Sequence, residues 1–229
     1  MTKHKKRCVT IKALKNNIPD KPCIYHITHL DNLPSILEHG GLYSDAKKIS
    51  LCLDNRNIGM SEIKRRRLIL PVDCHPSTTV GQYVPFYFCP RSIMLFILHV
   101  GNHPDITYHG GQGSILHLVS YLHDVVSYAD SNRIRWAFTA TNAGARYTQF
   151  YNDLSQLNEL DWAAIETTDF RNPHTKEGKQ AEFLMCDFFP WELIHGIAVE
   201  NTTVFDRVNE MLRTSAYQPR VRIKRAWYY

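Results

Sequence analysis

The stretch Tyr25–Tyr43 constrains the fold more than any other part of this 229-residue chain. It reads as an extended segment feeding a short helix. His26 and Thr28 sit two apart, so an extended backbone turns both to one face. Asp31 is a residue type that caps helix N-termini, and Pro34 falls in the first turn, where its missing N–H is tolerated. Leu33, Ile36 and Leu37 form an apolar stripe at helical spacing, and Gly40–Gly41 ends it. A His/Thr face above a helix N-terminus can hold an anionic ligand on free backbone N–H groups. Taken alone, the same pattern also describes a buried strand with two satisfied polar side chains.

The remaining length suits one folded domain, residues 21–229, behind a basic arm over residues 1–20 that contains Lys3, Lys5, Lys6, Arg7, Lys12 and Lys15. An apolar share of 44% with 21% charged residues is that of a folded soluble protein. The longest apolar run, Ile93–Val100, is strand-sized and too short for a bilayer, and the first residues lack a signal-peptide core. These features predict a cytoplasmic protein with no membrane partner. The six cysteines are scattered without a CxxC pair and read as reduced thiols, and no histidine spacing predicts a metal site. Lys and Arg exceed Asp and Glu by 27 − 22 = 5. The excess gathers in the arm, in Lys64–Arg67 and in Arg220–Arg225, where it can meet phosphates, with Tyr and Trp rings available for base stacking.

Along the chain, strands are expected at Ile115–Ser120, Arg135–Thr141, Ala181–Cys186, Ile194–Val199 and Arg220–Ile223, with a short extended piece at Val125–Tyr128. Helices are expected at Tyr147–Leu157, Asp161–Thr167 and Val204–Leu212. Ser44–Met60 and Asp169–Lys179 read as polar loops and Asn102–Gly113 as a mobile one, while Pro85 makes Tyr83–Phe88 an edge or the start of a strand. Short strands with few helices between them predict an α+β fold.

Two further groupings carry chemistry. If Ser61–Leu68 is helical, Ile63 and Arg67 share a face and Arg65, Arg66 and Arg67 fan outward. Three adjacent guanidiniums repel one another, which makes sense if at least one serves a phosphate or another anion. Gln180 and Glu182 open an apolar strand after a polar loop, two apart and facing one cleft. A carboxylate there can stabilise a developing cation or bind a ribose hydroxyl.

The Tyr25–Leu37 segment, Gly41–Leu42, Ile58–Gly59, the arginine run, Tyr83–Phe88 and Gln180–Glu182 occur in family order and together resemble the DarT toxins, DNA ADP-ribosyltransferases of bacterial toxin–antitoxin systems. The resemblance implies a split, mostly antiparallel β core of the ADP-ribosyltransferase type with surrounding helices. It implies NAD+ as co-substrate, single-stranded DNA as acceptor, thymine as the favoured base, and a DarG-like macrodomain antitoxin as partner. Glu182 would be the catalytic glutamate and Arg66, three after Ile63, the favoured catalytic arginine. NAD+ would be held by His26, Thr28, Asn32, Leu42, Gly59, Arg66 and Arg67. DNA would meet Arg65, Arg171, His174, Lys179 and Gln180.

Alternatives remain at this level. The acceptor could be guanine, RNA or protein, because the dinucleotide half of such a site does not specify it. Glu177 and Lys179 with Asp161 or Asp169 imitate the acidic and E-x-K pattern of a metal-dependent nuclease. Gly110–Gly113 lacks the Gly-Lys-Ser/Thr of a phosphate-binding loop.

Overall fold

The computed structural model describes residues 18–229; the basic arm, but for its last three positions, lies outside the described residues. The strands are β1 (Cys23–His29), β2 (Gly41–Tyr43), β3 (Tyr83–Tyr87), β4 (Ile115–Tyr121), β5 (Trp136–Thr139), β6 (Phe150–Tyr151), β7 (Glu182–Cys186), β8 (Phe188–Pro190), β9 (Gly196–Val199) and β10 (Arg220–Ile223). The helices are α1 (Leu33–Glu38), α2 (Asp45–Ser50), α3 (Ser61–Arg67), α4 (Ile93–Val100), α5 (Leu122–Ser131), α6 (Trp162–Glu166), α7 (Pro173–Gly178) and α8 (Thr202–Leu212). Eight strands form one sheet in the order β10-β9-β4-β1-β3-β7-β5-β6, and β2 pairs with β8 beside it. Among the described residues only β10 and β9 run parallel and every other pairing is antiparallel, giving the expected α+β class.

The sheet opens at its middle. β1 matches β4 along its whole length, but it meets β3 at the single pair Tyr25↔Tyr87. Pro85 therefore sits in an inner strand, not at an edge. Having no N–H, it could not complete a ladder, and it lies where the ladder between β1 and β3 lapses. His26 crosses the gap with its Nδ1 2.7 Å from the Pro85 carbonyl oxygen. One core packs Leu33 and Ile36 of α1, Val125 and Ala129 of α5 and Val204 and Val208 of α8 against Ile24, Leu116 and Leu118. A second packs Leu95 and Leu98 of α4 with Ile27, Ile115 and Tyr228.

Several elements depart from the sequence expectations. Ile93–Val100 is a helix. It is apolar on nearly every side, a pattern that fits a buried strand as well as a buried helix. Its caps decide the matter: the Ser92 hydroxyl accepts from the Leu95 N–H, and Gly101 takes the left-handed conformation that ends the helix. Val125–Tyr128 lies inside α5, and Tyr147–Leu157 holds β6 and a 3-10 turn in place of a helix. Both polar loops contain helices: Ser44 caps α2, and Asn172 caps α7 with Pro173 behind it. The 102–113 segment is irregular but anchored. Ile106 and Tyr108 are buried, and the Gln112 amide bonds Glu200 and both backbone groups of Tyr229.

Fully buried His117 places Nε2 2.8 Å from the Pro90 carbonyl oxygen, and burial pushes its imidazole down to about 4. The unfolded chain then binds a proton that the folded chain refuses. Stability is complete above pH 6.5 and falls as pH drops towards 4, by about 3 kcal/mol from this group. Urea midpoints across that range will show the loss, and a flat profile would exclude it.

Candidate active site

Glu182 opens β7 opposite Tyr87 of β3 and Thr139 of β5, and its side chain is 1% exposed. Arg67, the last residue of α3, meets it with two parallel bonds: Nη1 to Oε1 at 3.3 Å and Nη2 to Oε2 at 2.8 Å. The Ala143 N–H donates to Oε1 at 3.0 Å. A buried carboxylate needs this degree of pairing to stay ionised. Burial alone would lower the Arg67 guanidinium, but the Glu182 charge outweighs it and leaves Arg67 above the ordinary arginine value.

This arrangement turns Arg67, not Arg66, to the carboxylate. A helix turns about 100° per residue, so three consecutive arginines cannot face one point. Arg66 is exposed, lines no part of the cleft and has no ion pair among the described residues. Arg65 is exposed and pairs with Glu62. Arg67 alone turns inward.

Arg67 also borders the cleft that opens between β1, β3 and α1–α4; Glu182 lies behind it. His26, Thr28, Asn32, Leu42 and Gly59 line this cleft, as does Gln180. Burial pushes the His26 imidazole down to about 4 against the bond to Pro85. Because Pro85 offers only an acceptor, Nδ1 carries the proton of the neutral ring and Nε2 is left as an acceptor. The Asn32 amide is engaged within the protein. Nδ2 donates to Thr28 Oγ1 at 3.1 Å and to the Arg56 carbonyl at 3.0 Å, and Oδ1 accepts from the Arg56 N–H at 2.7 Å. Asn32 is a clamp joining β1 to the cleft rim at Arg56. Its bond leaves the Thr28 hydroxyl proton free to donate.

The expected DNA residues separate. Gln180 accepts from Asn142 Nδ2 at 3.3 Å at the cleft wall. Lys179 is turned away from the surface: it is 1% exposed, and its Nζ donates to the carbonyls of Ile165 at 3.1 Å and Thr167 at 2.7 Å. It fastens the end of α6 to the approach of β7. This also undoes the nuclease pattern, since Glu177 is exposed on α7 while Lys179 points into the core. Arg171 and His174 are exposed outside the cleft, with Arg171 held by Asp169.

Three contributors escaped the sequence reading. The turn after β5 carries the Ala143 N–H to the carboxylate and Asn142 to Gln180. A Cβ on Gly144 would sit 3.0 Å from Asn142 Oδ1 and 3.3 Å from Ile63 Cγ2, so a larger residue would have to push these neighbours by a few tenths of an ångström where the turn approaches α3. The Asn-Ala-Gly run after a strand was the available turn signal. Asp45 lies between Lys48 at 2.9 Å and Lys64 at 3.1 Å. Burial would raise this carboxyl, but the two ammoniums hold it well below the ordinary carboxylate range. Tyr87 lines the cleft, its hydroxyl pushed up first by burial and then by the Glu182 charge.

These groups suit a dinucleotide. Lys48, Lys64, Arg56 and Arg67 offer charge to a diphosphate, and His26 and Thr28 offer one acceptor and one donor to sugar hydroxyls. Leu42, Ile58, Ile93 and Ile97 offer apolar wall to flat rings.

Comparison with known proteins agrees with this geometry. A protein-family model described as "ssDNA thymidine ADP-ribosyltransferase, DarT" matches residues 25–229. A DNA ADP-ribosyl transferase of Thermus aquaticus is 39% identical over 213 residues, covering 92% of this chain and 90% of its own. The structure of Thermus sp. 2.9 DarT in complex with ADP-ribosylated ssDNA superposes with a TM-score of 0.85 at 37% identity, over 94% of this chain and 100% of that one. Thermus sp. 2.9 DarT in complex with NAD+ gives a TM-score of 0.78 at 36% identity, over 92% and 99%. Matched from its first strand to its last residue, the chain belongs to the DarT family.

Proposed function

We propose that this NAD-dependent DNA ADP-ribosyltransferase modifies thymine in single-stranded DNA, with Glu182 and Arg67 as its catalytic pair, and acts in the cytoplasm as the toxin of a toxin–antitoxin system. The observation that carries the reading is the two-bond Arg67–Glu182 pair at the edge of a cleft lined by His26, whose Nδ1 bonds the Pro85 carbonyl. NAD+ supplies a glycosidic bond whose leaving group, nicotinamide, departs neutral. Glu182, fixed by Arg67 and the Ala143 N–H, favours the positive charge that builds on the sugar as that bond breaks. His26 Nε2 and the Thr28 hydroxyl orient sugar hydroxyls, and the cleft cations offset phosphate charge.

Arg67 stays protonated throughout and is no base. It stabilises the anion that thymine becomes when its N3 proton leaves to water, and C1′ of the sugar then bonds to that nitrogen. An unstacked base is needed for this contact, which favours single-stranded DNA over duplex. The family description and the Thermus complex with ADP-ribosylated ssDNA support the acceptor. The partner implied by a DNA-modifying toxin is a macrodomain antitoxin that removes the ADP-ribose.

Mass spectrometry of nucleosides from oligonucleotides treated with the protein and NAD+ tests the reading. ADP-ribosylated thymidine together with released nicotinamide is expected. A mark on deoxyguanosine, or none over a panel of all short contexts, would overturn it.

A further inference from the structure

We propose that Arg146 and Tyr147 form a platform that stacks and anchors a nucleotide flanking the modified base; the proposal rests on the single-stranded DNA reading above. Tyr147 is 92% exposed, and it makes no hydrogen bond or ring contact among the described residues. Arg146 is exposed beside it and has no ion pair there. An aromatic ring so exposed does nothing for the core, and a free guanidinium next to it supplies what a nucleotide needs: a stacking face and a phosphate contact.

The loop that carries them is built, not slack. Thr141 and Thr148 Oγ1 atoms lie 3.1 Å apart and close its neck, and the Thr148 hydroxyl donates to the Asn142 carbonyl at 2.6 Å. The Ala145 N–H bonds the same carbonyl at 2.9 Å, and the Gly144 N–H bonds Asn142 Oδ1 at 2.7 Å. Its inner side is the catalytic site itself, where Ala143 holds Glu182 and Gly144 packs against Arg67. Its outer side is the Arg146–Tyr147 pair, two and three residues beyond Gly144. The acceptor strand must bring one base to Arg67 and Glu182, so a neighbouring nucleotide comes within reach of this tip. Pairing of a ring with a guanidinium favours nucleic acid over a protein partner, because either strand neighbour offers both a π-face and a phosphate.

The test measures binding of a fluorescent single-stranded oligonucleotide by anisotropy, beside steady-state transfer kinetics. Tyr147→Ala is expected to raise the Kd and the oligonucleotide KM about tenfold, the size of one base–aromatic stack, while KM for NAD+ and thermal stability stay unchanged. Tyr147→Phe should bind as the parent does, because it keeps the ring. Arg146→Gln should lower the slope of log Kd against log salt by about 0.7, the value for one phosphate contact on a single strand. Unchanged DNA binding in Tyr147→Ala overturns the platform, as does a Phe variant as weak as Ala. Loss of antitoxin binding with DNA binding intact overturns it in favour of a protein interface. Transfer that fails while binding still depends on Tyr147 refutes the activity and leaves the platform standing.

Discussion

Exchanging Glu182 for glutamine is expected to reduce ADP-ribose transfer about a thousandfold or more. Glutamine has nearly the same shape and keeps an oxygen for the Ala143 N–H and Arg67 Nη1, but its NH2 faces Arg67 Nη2, so one of the two arginine bonds is lost with the charge. The larger loss is the negative charge. In a site where the side chain is 1% exposed, that charge is weakly screened, and its attraction for positive charge building on the sugar is large. Removing a single preorganised electrostatic group from a buried site commonly slows reactions by about a hundredfold to a thousandfold, and here a full charge is removed. Glu182→Asp keeps the charge but withdraws it by one methylene, which should cost about a hundredfold through misplacement alone. Nicotinamide release and oligonucleotide mass shift, both at saturating substrate, measure the effect. A glutamine variant within a few-fold of the parent would remove Glu182 from the chemistry.

How much of this was visible beforehand depends on whether a signal is local. β1, with His26 and Thr28 two apart, and β7, beginning at Glu182, declare themselves by alternation and by the turns before them. The α4 helix did not, because a run apolar on all sides has no period to read, and the deciding Ser92 and Gly101 caps are single residues. Pro85 misled for a related reason. A proline forbids a continuous ladder, and sequence cannot reveal that the sheet opens between β1 and β3, where none is required. Within the site, the arginine run was legible as a run, but helix phase decides which member faces inward, and it turns Arg67 rather than Arg66 to Glu182. Lys179 and Asn32 are polar residues that read as ligand contacts. Carbonyls distant in sequence, at Ile165 and Arg56, engage them instead. The Ala143 N–H was invisible because backbone donors carry no residue signature.

The second large effect separates the two arginines and shows why the pair exists. Arg67→Met is expected to abolish transfer and to destabilise the fold by about 3–5 kcal/mol, because it strands a buried carboxylate without its counter-charge. Arg66→Met, on the exposed side of α3, should leave stability unchanged and lower transfer no more than a few-fold. Stability alone could explain the first loss, so the informative variant is the double one, Arg67→Met with Glu182→Gln. It removes both charges at once. Most of the lost stability should return, because neither partner is left as an isolated buried ion. Activity should not return, since the carboxylate that favours the developing cation and the guanidinium that stabilises the acceptor anion are both gone. Denaturant midpoints for the parent, both single variants and the double variant give the coupling energy of the pair, and transfer assays on the same four proteins give its role in the reaction. A double variant that recovers stability and transfer together would reduce the Arg67–Glu182 contact to a structural ion pair and move the chemistry elsewhere in the cleft.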